Sequence, residues 1–186
     1  MVSSQRQKIH PHKFTLWIAI GSIIMMFAGL TSAYIVKGSL PGWYNIEMPQ
    51  LFYYSTGVML LSSLTMQLSL KAFKEKQMHQ YRRLLIVTAV LGIAFIAMQI
   101  IGFSKLAASG ISLSGGSGAG QFLYIIFGLH ILHVLGGAIA LLVIFFRAFS
   151  ARVRNYNPVP VEVASIYWHF VDLLWIYLFI FFLLKL

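Results

Sequence analysis

Residues 122–146 read FLYIIFGLHILHVLGGAIALLVIFF and contain no charged side chain. A bilayer core about 30 Å thick is crossed by roughly 20 helical residues, so this run is long enough to span a membrane. Four further apolar runs of comparable length lie elsewhere in the chain, at residues 14–36, 51–70, 84–103 and 164–184. The pattern predicts an all-α integral membrane protein with five transmembrane helices.

The composition of the whole chain agrees with a membrane protein. Of its 186 residues, 59% are hydrophobic and only 10% are charged, whereas about a quarter of the residues in a soluble domain are charged. The segments between the runs are too short to hold a second core, so residues 1–186 are interpreted as one domain. The first run exceeds the apolar core of a cleaved signal peptide, which favours a retained helix. The absence of cysteine excludes disulfides and thiolate metal sites.

The basic residues are distributed unevenly between the two sides of the predicted bundle. The formal net charge is +10, and 11 of the 14 Lys and Arg residues precede the first run or lie in the second and fourth connections. The positive-inside rule therefore places the N-terminus in the cytoplasm and the C-terminus outside. Because membrane insertion alone explains this asymmetry, the charge does not indicate a nucleic-acid partner. Three basic residues are candidate contacts for lipid headgroups: Arg82, Arg83 and Arg147.

Polar side chains within the predicted spans are costly in hydrocarbon and therefore need partners. They are Gln67, Gln99, His130, His133, His169 and Asp172. His130 and His133 are three residues apart and lie on one face of their helix. The same spacing places His169 and Asp172 on one face of theirs. With a rise of about 1.5 Å per residue, His133 and Asp172 lie at similar depth. We therefore predict a hydrogen bond or ion pair between His133 and Asp172.

Two other functions would use the same side chains. A b-type haem needs two axial imidazoles at nearly equal depth, and His133 and His169 differ in depth by about 5 Å. A proton or solute carrier would use them as a relay, but carriers usually contain repeats and broken helices, which this sequence lacks. No third ligand lies at that depth to complete a catalytic metal site. The residues favour a membrane subunit without its own redox chemistry, with the other two functions as alternatives.

Small residues on the fourth predicted helix indicate close contact with neighbouring helices, because a short side chain lets two backbones approach. They are Gly128, Gly136, Gly137 and Ala140.

Two stretches resemble the five-helix form of cytochrome c oxidase subunit III. Residues 130–136, read as HILHVLG, are similar to the His-x-x-His-Val-x-Gly element of that family. Glu162, followed by residues 167–175 with the sequence YWHFVDLLW, resembles its last-helix signature. The number, length and topology of the predicted helices fit this family over essentially the whole chain.

The resemblance implies a non-catalytic subunit of a haem-copper terminal oxidase, which couples O₂ reduction to proton translocation. It implies that this chain holds no cofactor, that haems and copper sit in partner subunits, and that phospholipid binds between its helices. The partners implied are the catalytic subunit I, subunit II and other respiratory complex subunits, in the bacterial cytoplasmic (inner) membrane. Quinol oxidases and nitric-oxide reductase systems contain related subunits, so the electron donor stays open.

The resemblance also implies a polar interior and a set of packing residues. The interior would contain Gln99, His130, His133, Glu162, His169 and Asp172, and the packing residues would be Gly136, Trp168 and Trp175. The family often has Glu at two positions where this chain has Ile23 and Gly102. Because these two carboxylates are missing, the sequence favours structural support and lipid binding over a role in proton uptake.

Overall fold

The computed structural model describes residues 11–38, 49–108, 118–149 and 158–185, with only the backbone described for 147–149. These residues form five helices and no strands. The helices are α1 (Pro11–Lys37), α2 (Leu51–Lys74), α3 (Met78–Ala108), α4 (Gly118–Phe149) and α5 (Val159–Lys185). The prediction of an all-α fold is confirmed for the described residues. Each helix continues past its apolar run at one or both ends, because backbone hydrogen bonding does not stop where the side chains become polar.

Four of the helices, α1, α3, α4 and α5, are long and apolar enough to cross a membrane. The α2 helix has 24 residues and is therefore about 36 Å long, but it is the least hydrophobic of the five. Its low hydrophobicity comes from Lys71 and Lys74 at its end, together with Gln67 and a series of hydroxyl side chains. The passage of α2 through the membrane stays a prediction, as does the orientation of the termini.

The helices are arranged as a triangle and a four-helix group that share the contact between α4 and α5. The triangle consists of α1, α4 and α5, and the four-helix group consists of α2, α3, α4 and α5. In the described ranges, no Cα atom of α1 lies within 8 Å of one in α2. The α5 helix therefore separates α1 from α2. Among the four apolar helices it also has the largest buried share.

A tight turn at residues 75–77 joins α2 to α3. The Gln77 amide donates to the Ala72 carbonyl (2.9 Å) and the Lys76 amide donates to the Phe73 carbonyl (3.1 Å). This is the Schellman pattern, which requires a left-handed residue after the helix. Lys76 occupies that position with φ 61°. Because the turn is so short, α2 and α3 are antiparallel neighbours. The α1, α3 and α5 helices all begin at the same end of the bundle. We call this end, which carries Lys13, Lys74 and Arg82, the basic end.

The core of the four-helix group is built around two fully buried tryptophans of α5, Trp168 and Trp175. The Trp175 ring lies 5.1 Å from Phe95 of α3 and 5.3 Å from Phe127 of α4, measured between centroids. Trp168 packs against two glycines. A Cβ atom placed on Gly92 would lie 2.9 Å from Cη2 of its ring, and one on Gly137 would lie 3.2 Å from Cε3. The missing side chains of α3 and α4 therefore make the space that Trp168 fills.

We predict that Gly92→Ala and Gly137→Ala each destabilise the protein by about 1–3 kcal/mol, because the added methyl group meets a buried ring that has no room to move. Thermal unfolding in detergent measures this. Gly29→Ala is the matched control, since its Cβ would meet nothing within 4 Å and alanine is the better helix former. Equal thermal unfolding midpoints for Gly92→Ala, Gly137→Ala and Gly29→Ala would show that the Trp168 ring is not tightly packed.

Candidate functional site

The hydroxyl side chains of α2 form a row of hydrogen bonds with α5, which we call the α2–α5 seam. The indole N–H of Trp168 donates to Ser62 Oγ (3.1 Å), and that of Trp175 donates to Thr56 Oγ1 (3.0 Å). Buried indole nitrogens need acceptors, and in hydrocarbon only protein can supply them. The seam therefore explains why α2 is rich in serine and threonine.

His169 extends the seam toward the basic end. Its Nε2 lies 2.9 Å from Oε1 of Gln67, and its Nδ1 lies 2.6 Å from Oγ of Ser63. Because an amide oxygen only accepts, Nε2–H is the donor in the first bond and Nδ1 of the neutral ring accepts from the Ser63 hydroxyl. Both ring nitrogens are therefore engaged with α2.

Asp172 is 2% exposed and lies beside Ser63. Neither of its carboxyl oxygens has a hydrogen-bond partner among the described residues. The predicted bond to His133 is wrong: Nδ1–H of His133 donates instead to the Leu129 carbonyl of its own helix, at 2.7 Å. Equal depth did not bring the two side chains together, because depth does not specify which way a side chain points around the helix axis.

His130 is completely buried among aromatic rings. Its ring centroid lies 5.3 Å from Trp175, 6.4 Å from Phe95 and 6.5 Å from Phe27. Neither ring nitrogen has a hydrogen-bond partner in the described part of the chain. His133 lies one turn away with its ring 5.8 Å from Phe27. His133 thus faces α1, His130 lies among rings of α1, α3 and α5, and His169 faces α2.

Gln99 of α3 is also completely buried. Its amide nitrogen donates to Ser55 Oγ of α2 at 3.0 Å, while the amide oxygen has no partner among the described residues. Gln99 therefore joins α2 to α3, as His169 joins α2 to α5.

Glu162 joins three helices at the basic end. Its Oε2 lies 2.7 Å from Nζ of Lys13 on α1, and its Oε1 lies 2.8 Å from Nζ of Lys74 on α2. The carboxylate side chain is 18% exposed. In the described ranges, no Cα atom of α1 lies within 8 Å of one in α2, and this bridge links their ends through side chains. Its position in the first turn of α5 is also favourable for a negative charge.

The six interior residues implied by the resemblance therefore occupy separate environments. His169, Asp172 and Gln99 lie near α2 hydroxyls, and His130 lies among rings of three helices. His133 faces α1, and Glu162 lies at the basic end. No group of three or more potential metal-binding side chains occurs among the described residues. The arrangement connects helices through polar contacts at several depths.

Two positions at which the chain departs from the resemblance are apolar in the structure. A Cβ atom on Gly102 would lie 3.0 Å from the Phe52 ring, so that ring covers the position. Ile23 is partly buried and packs against the core around Phe27 and Val134. The space that a longer acidic side chain would need at Gly102 is thus taken by an aromatic residue.

On α4, the closely packed glycine is Gly137 and not its neighbour Gly136. A Cβ atom on Gly136 would meet only the Tyr167 hydroxyl, at 3.8 Å, which is ordinary contact. That hydroxyl donates to the His133 carbonyl at 3.1 Å. The prediction that small residues permit close approach applies to Gly137, whereas Gly128 has nothing within 4 Å.

Gly136 instead lines a groove of about 770 Å³ between the beginning of α1, the end of α4 and the beginning of α5. Most lining side chains are small or aliphatic, including Ala19, Ala140 and Val163, and the polar ones are His12, Thr15 and Tyr167. Its volume falls in the usual range of ligand pockets. Arg82 and Arg83, the two described headgroup candidates, are exposed on α3, and the side chain of Arg147 lies outside the described residues.

Several residues that take part in these contacts could not be recognised from the sequence. Three of them look like ordinary small residues of a membrane span in the sequence: Ser62, Ser63 and Thr56. Lys74 looks like a cation that anchors the end of a helix at the membrane surface. The spacing of serine and threonine along one face of α2 could have indicated a polar seam, but it could not identify the helix on the other side.

A family profile described as cytochrome c oxidase subunit III matches residues 13–184. The chain belongs to the cytochrome c oxidase subunit III family. A probable cytochrome c oxidase subunit 3 of Nocardia farcinica is 32% identical, over 95% of this chain and 92% of the relative. Cytochrome c oxidase subunit 3 of Bacillus sp. PS3 is 29% identical over 88% and 80%, respectively. A probable quinol oxidase subunit 3 of Staphylococcus epidermidis is 23% identical over 96% and 90%.

Membership of the subunit III family explains the four helices that are long and apolar enough to cross a membrane: the chain is a multi-pass membrane subunit of a haem-copper oxidase complex. The names of the relatives include both a cytochrome c oxidase and a quinol oxidase. The family therefore establishes the type of complex and leaves its electron donor open.

We predict that Glu162→Gln destabilises this subunit by about 1 kcal/mol, because Lys13 and Lys74 lose their shared counter-charge; the lysines are 35% and 53% exposed, which limits the effect. Thermal unfolding at low and high salt measures it, and the difference from wild type should shrink as salt screens the charges. Glu75→Gln is the control, since its contact with Lys71 is longer (4.0 Å) and more exposed. An equal effect of both substitutions would contradict a special role for the bridge.

Proposed function

We propose that this chain is a non-catalytic accessory subunit that stabilises the catalytic subunit of a respiratory haem-copper oxidase, with haems and copper held in partner subunits I and II. One observation supports this most: the titratable side chains of the interior take part in helix packing. Both nitrogens of His169 bond to α2, Glu162 joins α1 to α2, and His130 is enclosed by rings.

The proposed orientation follows from the basic end. Described cations at this end lie at the start of α1, the end of α2 and the start of α3, and Lys37, Lys105 and Lys185 lie at the other. We infer that the basic end faces the cytoplasm of a bacterium and that the protein resides in its inner membrane. Anionic headgroups are expected near Arg82 and Arg83.

The groove beside Gly136 is the proposed phospholipid site. Its aliphatic lining suits acyl chains, and it lies at the basic end, where His12 and Thr15 supply polar groups near the level of the headgroups. The Ala and Gly residues of α1 and α4 keep the space open, because larger side chains there would fill it.

The central prediction is co-purification. A tagged chain should bring down a haem-copper catalytic subunit, and the optical spectrum of the complex should show haem bands that the isolated chain lacks. A stable chain that carries haem after its partners are removed would contradict the proposal and favour the b-haem alternative. A reconstituted chain that transports protons or solutes by itself would favour a carrier.

Lipid retention tests the groove separately. Ala19→Phe and Ala140→Phe should reduce the number of phospholipid molecules that co-purify with the complex, measured by native mass spectrometry, because each new ring occupies the groove. Ala97→Phe on the exposed face of α3 is the matched control. Unchanged lipid content in both groove variants would contradict the lipid site and leave the subunit assignment intact.

A further inference from the structure

A second surface, distinct from the lipid groove, lies on α5 between α1 and α2. Residues on one stripe of α5 are exposed there: Leu173 (66%), Tyr177 (46%), Ile180 (48%) and Leu184 (76%). Tyr177 bonds to Thr31 of α1 at 2.9 Å, and His169 on the same stripe bonds to α2. The stripe is therefore the floor of a cleft with α1 as one wall and α2 as the other, and we call it the α1–α2 cleft.

The Lys13–Glu162–Lys74 bridge closes the cleft at the basic end, because it connects the two walls across the first turn of α5. Farther from that end, the described parts of α1 and α2 stay more than 8 Å apart between Cα atoms. An apolar face open in this way could be covered by lipid alone. A polar feature of the cleft argues against lipid.

Gln67 stands on the α2 wall with its side chain exposed. Its amide oxygen accepts from His169, but its amide nitrogen, with two N–H donors, has no hydrogen-bond partner among the described residues. Two exposed hydroxyls elsewhere on the bundle differ, since Ser22 and Ser104 donate to carbonyls of their own helices, at 3.0 and 2.9 Å. Gln67 therefore presents unused donors to whatever occupies the cleft.

With α2 crossing the membrane as predicted, the depth of Gln67 places these donors in hydrocarbon. It lies seven residues before Lys74, and His169 lies seven residues after Glu162, so both are about 10 Å along the helix axis from the bridge. Acyl chains offer no acceptor at that depth, and unsatisfied donors there are costly. A protein helix can supply an acceptor from a side chain.

The charge at the basic end distinguishes a different subunit from a second copy of this chain. The walls carry Lys13, Lys71 and Lys74 against Glu162 and Glu75, and Arg82 and Arg83 follow on α3. Two copies packed side by side in the same orientation would bring these positive ends together. A helix with an acidic end would instead be attracted.

We propose that the α1–α2 cleft receives one transmembrane helix of another oxidase subunit, whose acidic end lies near the Lys13–Glu162–Lys74 bridge and which presents a hydrogen-bond acceptor to Gln67. This inference rests on the proposed function, in that it requires a complex with other membrane subunits. It adds the face of contact and the chemistry of the contacting helix.

Site-specific photocrosslinking in the assembled complex tests the contact. A benzoylphenylalanine at Leu173 should form an adduct with a membrane-spanning peptide of another subunit, and mass spectrometry should find Asp, Glu, Asn, Gln, Ser or Thr within about two turns of the adduct. The same probe at Leu132, exposed on α4, is the control and should give a lower yield of that adduct. Adducts at Leu173 with lipid only, or with a second copy of this chain, would overturn the proposal.

A substitution provides the second measurement. In Gln67→Leu, the new leucine suits a membrane helix but cannot donate a hydrogen bond. The other oxidase subunit should dissociate about fivefold more readily from this variant in detergent, as expected for loss of one hydrogen bond in a membrane. Gln121→Leu, an exposed glutamine at the opposite end of the bundle, should leave retention unchanged. Equal retention in both variants would overturn the role of Gln67. If the complex still co-purifies in that case, the subunit assignment stands and only the docking face is wrong.

Discussion

The hydrogen bonds between α2 hydroxyls and the N–H groups of α5 are the constraint on which the bundle depends. Trp168 and Trp175 are fully buried, and each indole would leave an unpaired donor in hydrocarbon without Ser62 and Thr56. Their rings in turn need space, which Gly92 and Gly137 provide for Trp168. The hydroxyl side chains of α2 are therefore the counterpart of the large amphipathic side chains on α5. One helix supplies acceptors so that the other can fill the core.

The same requirement explains how the remaining polar residues are distributed. His169 satisfies both ring nitrogens on α2, Gln99 uses Ser55, and Glu162 binds two lysines where the helices leave the apolar layer. Each contact joins a different pair or trio of helices, so together they determine the relative rotation of α5 and its neighbours. This is the arrangement expected of a rigid subunit that holds a surface in place for a larger complex. The proposed docking of another helix at Gln67 extends the same chemistry beyond the chain.

Much of the fold was predictable because a bilayer imposes a length and a polarity on every crossing segment. The five apolar runs correspond to the five helices of the described residues, and most of the described Lys and Arg residues lie at one end. The site was only partly predictable. Residues such as His169 and Asp172 were identified as interior because they are polar within a span, but their partners were not. Depth along a helix follows from residue number, whereas the partner depends on the rotation of each helix and on which helices are neighbours.

The sequence by itself determined the number of helices, their approximate lengths, the basic end and, through its His and Trp motifs, the subunit III family. Only the tertiary structure decided that α5 separates α1 from α2, that Glu162 connects them, and that His133 turns to its own backbone and not to Asp172. The physical reason is that hydrophobicity acts on each segment independently. Hydrogen bonds and close packing act between segments, and they select one helix arrangement among several that would bury the same apolar residues.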